Sequence, residues 1–111
     1  MKTIVFGFSD NPERYSYMAR ELLVSLGHET VTINPRVESQ IDLLDSGCHT
    51  LTLYVNSQIS DKYQQNLLKC KPKRVIFNPG TENLDLQKKF ETLGVEVVIG
   101  CTLVMLRTQQ F

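Results

Sequence analysis

The sequence lacks the features that define several large classes of protein. It contains no tryptophan, and its twelve basic and twelve acidic residues cancel. None of its hydrophobic runs approaches the roughly 20 residues of a membrane-spanning helix. A chain without net charge has no global field that attracts nucleic acid or an anionic membrane, so any anion site must be local. We therefore expect no nucleic-acid partner and no membrane association.

Cysteine is scarce and irregularly placed. Cys48, Cys70 and Cys101 form neither a CxxC nor a CxxH pair, so we expect no metal site, and their odd number favours reduced thiols over a disulfide framework. The amino terminus, MKTIVFGFSDNP, has a single lysine and an apolar stretch too short and too polar for a secretory signal. We therefore expect a cytoplasmic protein.

The order of the apolar runs indicates a parallel sheet flanked by helices. At 111 residues the chain suits one hydrophobic core, so we expect a single domain over residues 1–111. Runs rich in β-branched residues alternate with stretches of helical spacing, which is typical of α/β proteins. The predicted strands are residues 3–8, 30–34, 50–55, 74–78 and 95–99.

The helix after the first strand has the clearest pattern. Asn11 is its predicted N-cap, Pro12 its first residue and Gly27 its left-handed end. One apolar face follows with helical spacing: Tyr15, Met18, Ala19, Leu22, Leu23 and Leu26. Further helices are predicted from about residue 60 to 71, around residues 86–93, as two short turns within 36–49, and in the tail from 101 to 111.

The hydrophobic pattern of each strand predicts the order of the strands in the sheet. Residues 4–6 and 75–77 are continuously apolar, as in central parallel strands covered on both faces. HTLTLYV, residues 49–55, alternates threonine with leucine, as an edge strand with one hydrated face would. With right-handed crossovers this favours a three-layer, Rossmann-like α/β sheet of five parallel strands in the order 3-2-1-4-5. The flavodoxin-like order 2-1-3-4-5 is the alternative, in which the third strand is central.

Such sheets bind ligands beyond the carboxyl ends of the strands, where the strand order reverses. In the favoured order this point lies between the first and fourth strands. The first loop leads into a helix whose N-terminus favours an anion, although the glycines of a GxGxxG motif are absent. Arg36 follows the second strand and suits a phosphorylated ribose, as in NADP or coenzyme A (CoA). Alternatively, Ser9 and Asn11 only cap the helix and Arg36 is solvated.

Three segments carry a family resemblance: SDNPERYS at 9–16, FNPGTEN at 77–83 and CTLVMLRT at 101–108. The chain resembles, nearly end to end, the stand-alone CoA-binding domain family, which is similar to the nucleotide-binding domain of the succinyl-CoA synthetase alpha subunit. The resemblance implies a Rossmann-type fold with the CoA phosphates on the loop from Gly7 to Arg14. It also implies that the adenosine end meets the loop after Asn34 and Pro35. Phe8 departs from the small residue usual in the family, and would crowd the loop or stack on a ligand.

The candidate cofactor-binding residues follow the carboxyl ends of the predicted strands. They are Gly7, Phe8, Ser9, Asn11, Pro12, Arg14, Tyr15, Asn34, Pro35, Arg36, Asn56, Asn78, Pro79, Gly80 and Cys101. His28 and His49 precede strands and are predicted at the opposite edge, so no catalytic residue is assigned.

Three functions remain open at this point. The first is a small protein that binds CoA, an acyl-CoA ester or a related nucleotide and has no catalytic activity of its own. The second is an enzyme of NADP or thiol chemistry that uses Cys101, whose thiol would lie at the start of the tail helix. The third is a Rossmann scaffold without a ligand. An exposed apolar tail would also support a homodimer.

Overall fold

Five parallel strands form the centre of the structure, a computed structural model that describes residues 1–111. The strands are β1 (Lys2–Phe6), β2 (Glu29–Ile33), β3 (Thr50–Leu53), β4 (Arg74–Phe77) and β5 (Glu96–Ile99). The helices are α1 (Tyr15–Ser25), α2 (Ser57–Lys62), α3 (Gln64–Lys69), α4 (Leu84–Thr92), α5 (Thr102–Arg107) and a 3₁₀ helix (Glu38–Ser46). The predicted α/β class with a five-stranded parallel sheet is confirmed.

The predicted order of the strands is wrong. The sheet has the order β2-β1-β3-β4-β5, so β3 lies at its centre rather than at its edge. All four residues of β3 are buried. Thr52 is not hydrated, because its hydroxyl bonds to Thr102 Oγ1 at 2.7 Å and accepts from Asn78 Nδ2 at 2.7 Å. A threonine whose hydroxyl finds buried partners is compatible with a central strand.

Helices cover both faces of the sheet. On one face, α1 and α5 pack together over a small cluster of Val5, Leu23 and Leu106. On the other face, the 3₁₀ helix, α3 and α4 cover a larger cluster that includes Phe6 and Phe77. The continuous apolar runs of β1 and β4 are therefore buried on both faces of the sheet, as their hydrophobic pattern predicts.

Helix α1 begins later than predicted, at Tyr15. Asn11 begins a turn instead of capping the helix: its carbonyl accepts from the Arg14 N–H at 3.0 Å and its side-chain oxygen from the Glu13 N–H at 3.0 Å. Pro12 then occupies the second position of this turn, where its fixed φ is favoured. The Asn-Pro pair therefore shapes the loop before the helix and does not start the helix.

The other helices follow the predicted positions more closely than the predicted lengths. Gly27 and Gly94, at φ +84° and +80°, end α1 and α4 as predicted. The helix predicted near residues 60–71 is two helices, α2 and α3, which meet at Tyr63. The crossover forms the 3₁₀ helix, with Ile41 and Leu44 buried, and the tail forms α5. No helix combines the length and the hydrophobicity that crossing a membrane requires.

Gly7, directly after β1, is the glycine that packing constrains most. Its φ is +100°, and a Cβ there would lie 2.7 Å from Val55 Cγ1 and 2.8 Å from the Tyr54 carbonyl carbon. We expect Gly7→Ala to lower the free energy of unfolding by about 3 kcal/mol, because backbone strain and atomic overlap add.

Gly94→Ala is the matched control for this prediction. Gly94 also has a positive φ, but a Cβ added to it would have no other atom within 4 Å. Only backbone strain then applies, at a cost of about 1 kcal/mol. Urea denaturation of both variants measures the difference, and equal losses would contradict the close packing of the loops that follow β1 and β3.

Candidate functional site

The strand order reverses between β1 and β3, and this places the candidate site. The chain leaves β1 for α1 on one face of the sheet and leaves β3 for α2 and α3, whose layer covers the other face. Open α/β sheets bind ligands in the crevice that such divergent connections form. The predicted position of the crevice, between the first and fourth strands, is therefore wrong, because the crevice lies between β1 and β3.

The first loop, residues 7–14, is held in shape by its own polar groups and by β2. The Gly7 and Phe8 N–H groups both donate to the Ile33 carbonyl at 2.9 Å. The Ser9 N–H donates to Ser16 Oγ at 3.0 Å, and Ser9 Oγ accepts from the Asn11 N–H at 3.2 Å. The loop is therefore fixed at both of its ends before any ligand binds.

The first turn of α1 carries amide groups without partners. The backbone N–H groups of Tyr15, Ser16 and Tyr17 donate to no group in the chain. The turn contains no acidic residue and no side-chain cap, and Arg14, which precedes it, is exposed and forms no salt bridge. Free donors at the positive end of a helix dipole, beside an unpaired guanidinium, favour a phosphate or a carboxylate.

Phe8 packs toward α1 and joins its side chains. Its ring stacks on Tyr17 with centroids 6.2 Å apart, and the Arg20 guanidinium lies 4.9 Å from the Phe8 centroid and 5.1 Å from that of Tyr17. Phe8 also contacts the small cluster around Val5. The bulky residue is therefore accommodated by packing and does not crowd the first loop.

The loop after β2 is also fixed internally. Asn34 accepts from the Arg36 N–H at 3.0 Å through its side chain, and its own N–H donates to Gln40 Oε1 at 2.7 Å. The Tyr63 hydroxyl donates to the Pro35 carbonyl at 3.2 Å. The Arg36 side chain is exposed and forms no salt bridge, so its guanidinium is free to meet an anion.

Asn78 connects the ends of three elements at this edge. Its Nδ2 donates to Thr52 Oγ1 at 2.7 Å and to the Leu53 carbonyl at 2.8 Å, and its Oδ1 accepts from the Thr102 N–H at 2.9 Å. The residue is 3% exposed. Both of its side-chain donor hydrogens are used within the protein, so Asn78 shapes the edge and has no free donor for a ligand.

The remaining candidate residues lie on neighbouring loops. Asn56 is exposed and caps α2, since its Oδ1 accepts from the Ile59 N–H at 3.0 Å. Pro79 and Gly80 are exposed after β4, and Cys101 is half-buried directly before α5. All candidates thus follow carboxyl ends of the strands; the loops after β1 and β3 flank the switch point, and those after β2 and β4 lie one strand further out on either side.

Tyr54 is a residue of this edge that sequence reasoning missed. It follows β3 directly, and its buried hydroxyl has no hydrogen-bond partner. Burial raises the pKa of Tyr54 to about 12, against the opposing effect of the nearby Thr102 and Thr52 hydroxyls. The neutral phenol is an unpaired donor and acceptor at the switch point. The signal that could have found it is its position after a central strand, which the predicted edge position of HTLTLYV concealed.

Groups suited to catalysis are few near the switch point. His28 packs against Phe111, with centroids 5.1 Å apart, and His49 hydrogen-bonds to Thr50 at 2.8 Å, both at the amino edge. The structure has no group of three or more His, Cys, Asp or Glu side chains placed to hold a metal ion. The cavities beside Cys48 and beside Phe111 also lie away from the carboxyl edge. A ligand at this edge would be held by loops and a helix end near the surface.

Comparisons with known proteins support a single family. The sequence profile described as the CoA binding domain matches residues 1–107. A solved structure of an uncharacterized protein is 37% identical, with a TM-score of 0.82, and the match covers 99% of this chain and 97% of that one. No protein of curated function matches the chain significantly.

Two more distant solved structures support the fold alone. A hypothetical protein from Pyrococcus horikoshii OT3 is 22% identical with a TM-score of 0.82, covering 97% of this chain and 82% of its own. A protein from Thermus thermophilus is 20% identical with a TM-score of 0.84, covering 99% and 90%. The architecture is therefore retained where most of the sequence differs.

Proposed function

Since the chain belongs to the CoA-binding domain family, we propose that it binds CoA or an acyl-CoA ester at the carboxyl edge of its sheet. The observation that supports this placement is the first turn of α1, where the amides of Tyr15, Ser16 and Tyr17 have no partner. The diphosphate of CoA supplies anionic oxygens that accept such hydrogen bonds. The β1–β3 crevice beside this turn then receives the rest of the ligand.

Two unpaired arginines complement the other charges of CoA. Arg14 stands directly before the free amides and would meet the diphosphate. Arg36 follows β2, whose last residue, Ile33, is tied to the first loop by the Gly7 and Phe8 amides. Arg36 would therefore meet the 3′-phosphate of the adenosine end, and a guanidinium suits a phosphate monoester because it donates two parallel hydrogen bonds.

We assign no reaction to this site. The unpaired groups of the crevice are the α1 amides and the two guanidiniums, together with the exposed carboxylates of Asp10 and Glu13 in the first loop, and neither histidine lies near them. Cys101 is half-buried beside Tyr54 and is left outside the phosphate contacts. A protein that holds CoA without transforming it needs only these donors. A cytoplasmic location and a homodimer stay predictions of the sequence.

A parallel thermal-shift titration tests the proposal. CoA, 3′-dephospho-CoA, NADP, NAD and ATP are compared, because only a ligand that binds the native state stabilises it. We expect CoA at 100 times its Kd to add about 2.7 kcal/mol, or several degrees of melting temperature, and dephospho-CoA to bind more weakly. A response to NADP alone would favour the NADP enzyme, and no response to any nucleotide would overturn the proposal.

Arg36→Ala separates the 3′-phosphate contact from binding in general. The wild type should prefer CoA over dephospho-CoA, and Arg36→Ala should lose this preference while both ligands still bind. Cys101→Ser is the control, since it leaves every proposed phosphate contact intact and should keep the preference. An unchanged preference in Arg36→Ala would contradict the adenosine position.

A further inference from the structure

Two cysteines meet at the amino edge of the sheet, opposite the proposed CoA site. Cys48 lies between the 3₁₀ helix and β3, and Cys70 ends α3 ahead of β4. Because β3 and β4 are adjacent, the segments that precede them come together. The two sulfur atoms are 3.5 Å apart, although 22 residues separate them in the sequence.

The backbone holds these thiols side by side. The carbonyl of His49, next to Cys48, accepts from the Lys73 N–H at 2.9 Å. Gly47 has a φ of +73°, and a Cβ on it would lie 3.5 Å from the Cys70 carbonyl oxygen. Both cysteine-bearing segments are thus fixed against each other through main-chain contacts. The proximity of the sulfurs follows from the fold and not only from side-chain rotamers.

The pair borders an open cavity of about 690 Å³. Cys48 is half-buried, whereas Cys70 is 2% exposed. Both cysteines line this cavity, which gives a small polar molecule a route to the sulfurs. Its charged lining residues are Lys2, Lys69, Lys71, Glu29 and Asp45.

The two thiols differ in acidity. The hydrogen bond from Cys48 lowers the pKa of Cys70, and the charge of Lys2 lowers it further, against the opposing effects of burial and Asp45. The same hydrogen bond, together with burial, raises the pKa of Cys48. These directions favour ionisation of Cys70, with Cys48 as the donor of the hydrogen bond between the two sulfurs. Thiolates, not thiols, are the nucleophilic form of cysteine.

We propose that Cys48 and Cys70 form a dithiol that reduces a small hydroperoxide and becomes an intramolecular disulfide. The Cys70 thiolate attacks one peroxide oxygen, so that an S–O bond forms, the O–O bond breaks, and the leaving alkoxide or hydroxide takes a proton from water. Cys48 sulfur then attacks the sulfenic sulfur of Cys70, forming the S–S bond and releasing water with its own proton. Two thiols are oxidised while one hydroperoxide accepts two electrons.

The second step needs little movement. A disulfide bond is about 2.05 Å long, so the sulfurs must approach by about 1.5 Å from their present separation. A single buried cysteine is often unreactive and behaves as a small hydrophobic residue. Here two sulfurs face each other beside a cavity that carries three lysines. Cys101, at the opposite edge, is an internal reference thiol.

The test treats the folded protein with hydrogen peroxide and counts its thiols. We expect three free thiols before treatment and one afterwards, with a mass decrease of two hydrogen atoms that a phosphine reductant reverses. Tryptic digestion should join peptide 37–62 to peptide 70–73, since the Lys71-Pro72 bond resists trypsin. Cys101→Ser, which is remote from the pair, should give the same cross-link and leave no free thiol.

Several outcomes would overturn the dithiol. These are three thiols that survive excess peroxide, oxygen addition to Cys70 without a cross-link, or disulfides between chains. In Cys48→Ala, Cys70 should accumulate as a sulfenic acid that dimedone traps, and its absence in a folded variant would contradict the order of the steps. The thiol counts and cross-linked peptides of the wild type and of Cys101→Ser test the dithiol even if Cys48→Ala does not fold. None of these results depends on CoA binding.

Discussion

Replacing Asn78 by aspartate should lower the free energy of unfolding by about 4 kcal/mol, or prevent folding. The Asn78 amide donates to Thr52 and to the Leu53 carbonyl from a position that is 3% exposed. A carboxylate has no hydrogen to donate, so it would face the Leu53 carbonyl as a second acceptor and bury a charge. Of the three side-chain bonds, only the one from the Thr102 N–H would survive unchanged.

Asn56→Asp is the matched control for Asn78→Asp. The Asn56 side chain is exposed and acts as an acceptor, from the Ile59 N–H at the start of α2. Aspartate accepts equally well there and suits the helix N-terminus, so we expect a change within about 0.5 kcal/mol. Urea denaturation measures both variants. Similar values for the two would show that the Asn78 donor bonds do not stabilise the carboxyl edge.

The second large effect is expected on the affinity for CoA, when a single negative charge is added to the first loop. Ser9 Oγ accepts from the Asn11 N–H, and either aspartate or asparagine can accept the same bond. Aspartate adds a negative charge beside the free amides of α1, where the proposed diphosphate lies. We expect Ser9→Asp to raise the Kd for CoA about tenfold or more at low salt, and Ser9→Asn to change it by less than about threefold.

Isothermal titration of the two variants measures this difference, and the melting temperature of the free protein provides a check. The carboxylate in Ser9→Asp favours the positive end of α1, so the unliganded variant should be at least as stable as Ser9→Asn. Weaker binding without weaker folding identifies repulsion of the ligand. Equal affinities of Ser9→Asp and Ser9→Asn would place the phosphates elsewhere.

Sequence patterns predict elements well when the signal is local. The glycines after α1 and α4 end their helices as predicted, and Ala19 and Leu23 of the predicted α1 face are buried, whereas Tyr15 and Leu26 at the ends of that face are exposed. The position of β3 depends instead on distant partners. Thr52 is polar in the sequence, but its hydroxyl meets Asn78, 26 residues away, and Thr102, 50 residues away. Hydropathy records the polarity of a residue and not whether a buried partner satisfies it.

The start of α1 illustrates a second limit. An asparagine followed by proline suits both an N-cap and the turn that the structure shows, because both use the same side-chain acceptor. The choice between them depends on where the first loop is held. In the structure the Gly7 and Phe8 bonds to Ile33 hold the start of the loop and the Ser9 N–H bond to Ser16 Oγ holds its end, so that Asn11 lies four residues before α1.

The candidate site depends both on local sequence signals and on the arrangement of distant strands. Parallel strands end at one edge in any order, so the sequence could place every candidate residue at the carboxyl edge. The strand order decides which loops lie next to each other. Because the predicted order was wrong, the crevice was expected between the wrong strands, and Tyr54 was not recognised as following a central strand. The pairing of Cys48 with Cys70 has the same cause, because only the adjacency of β3 and β4 brings their preceding segments together.

Amide chemical shifts during a titration with CoA test the proposed site most directly. In ¹H–¹⁵N spectra, the amide protons of Tyr15, Ser16 and Tyr17 should move downfield and saturate together as they gain acceptors. The amides of Cys48 and Lys71, at the opposite edge, should not move. If CoA saturates the protein while the three α1 amides keep their positions, the phosphates do not bind at this helix and the proposed site is wrong.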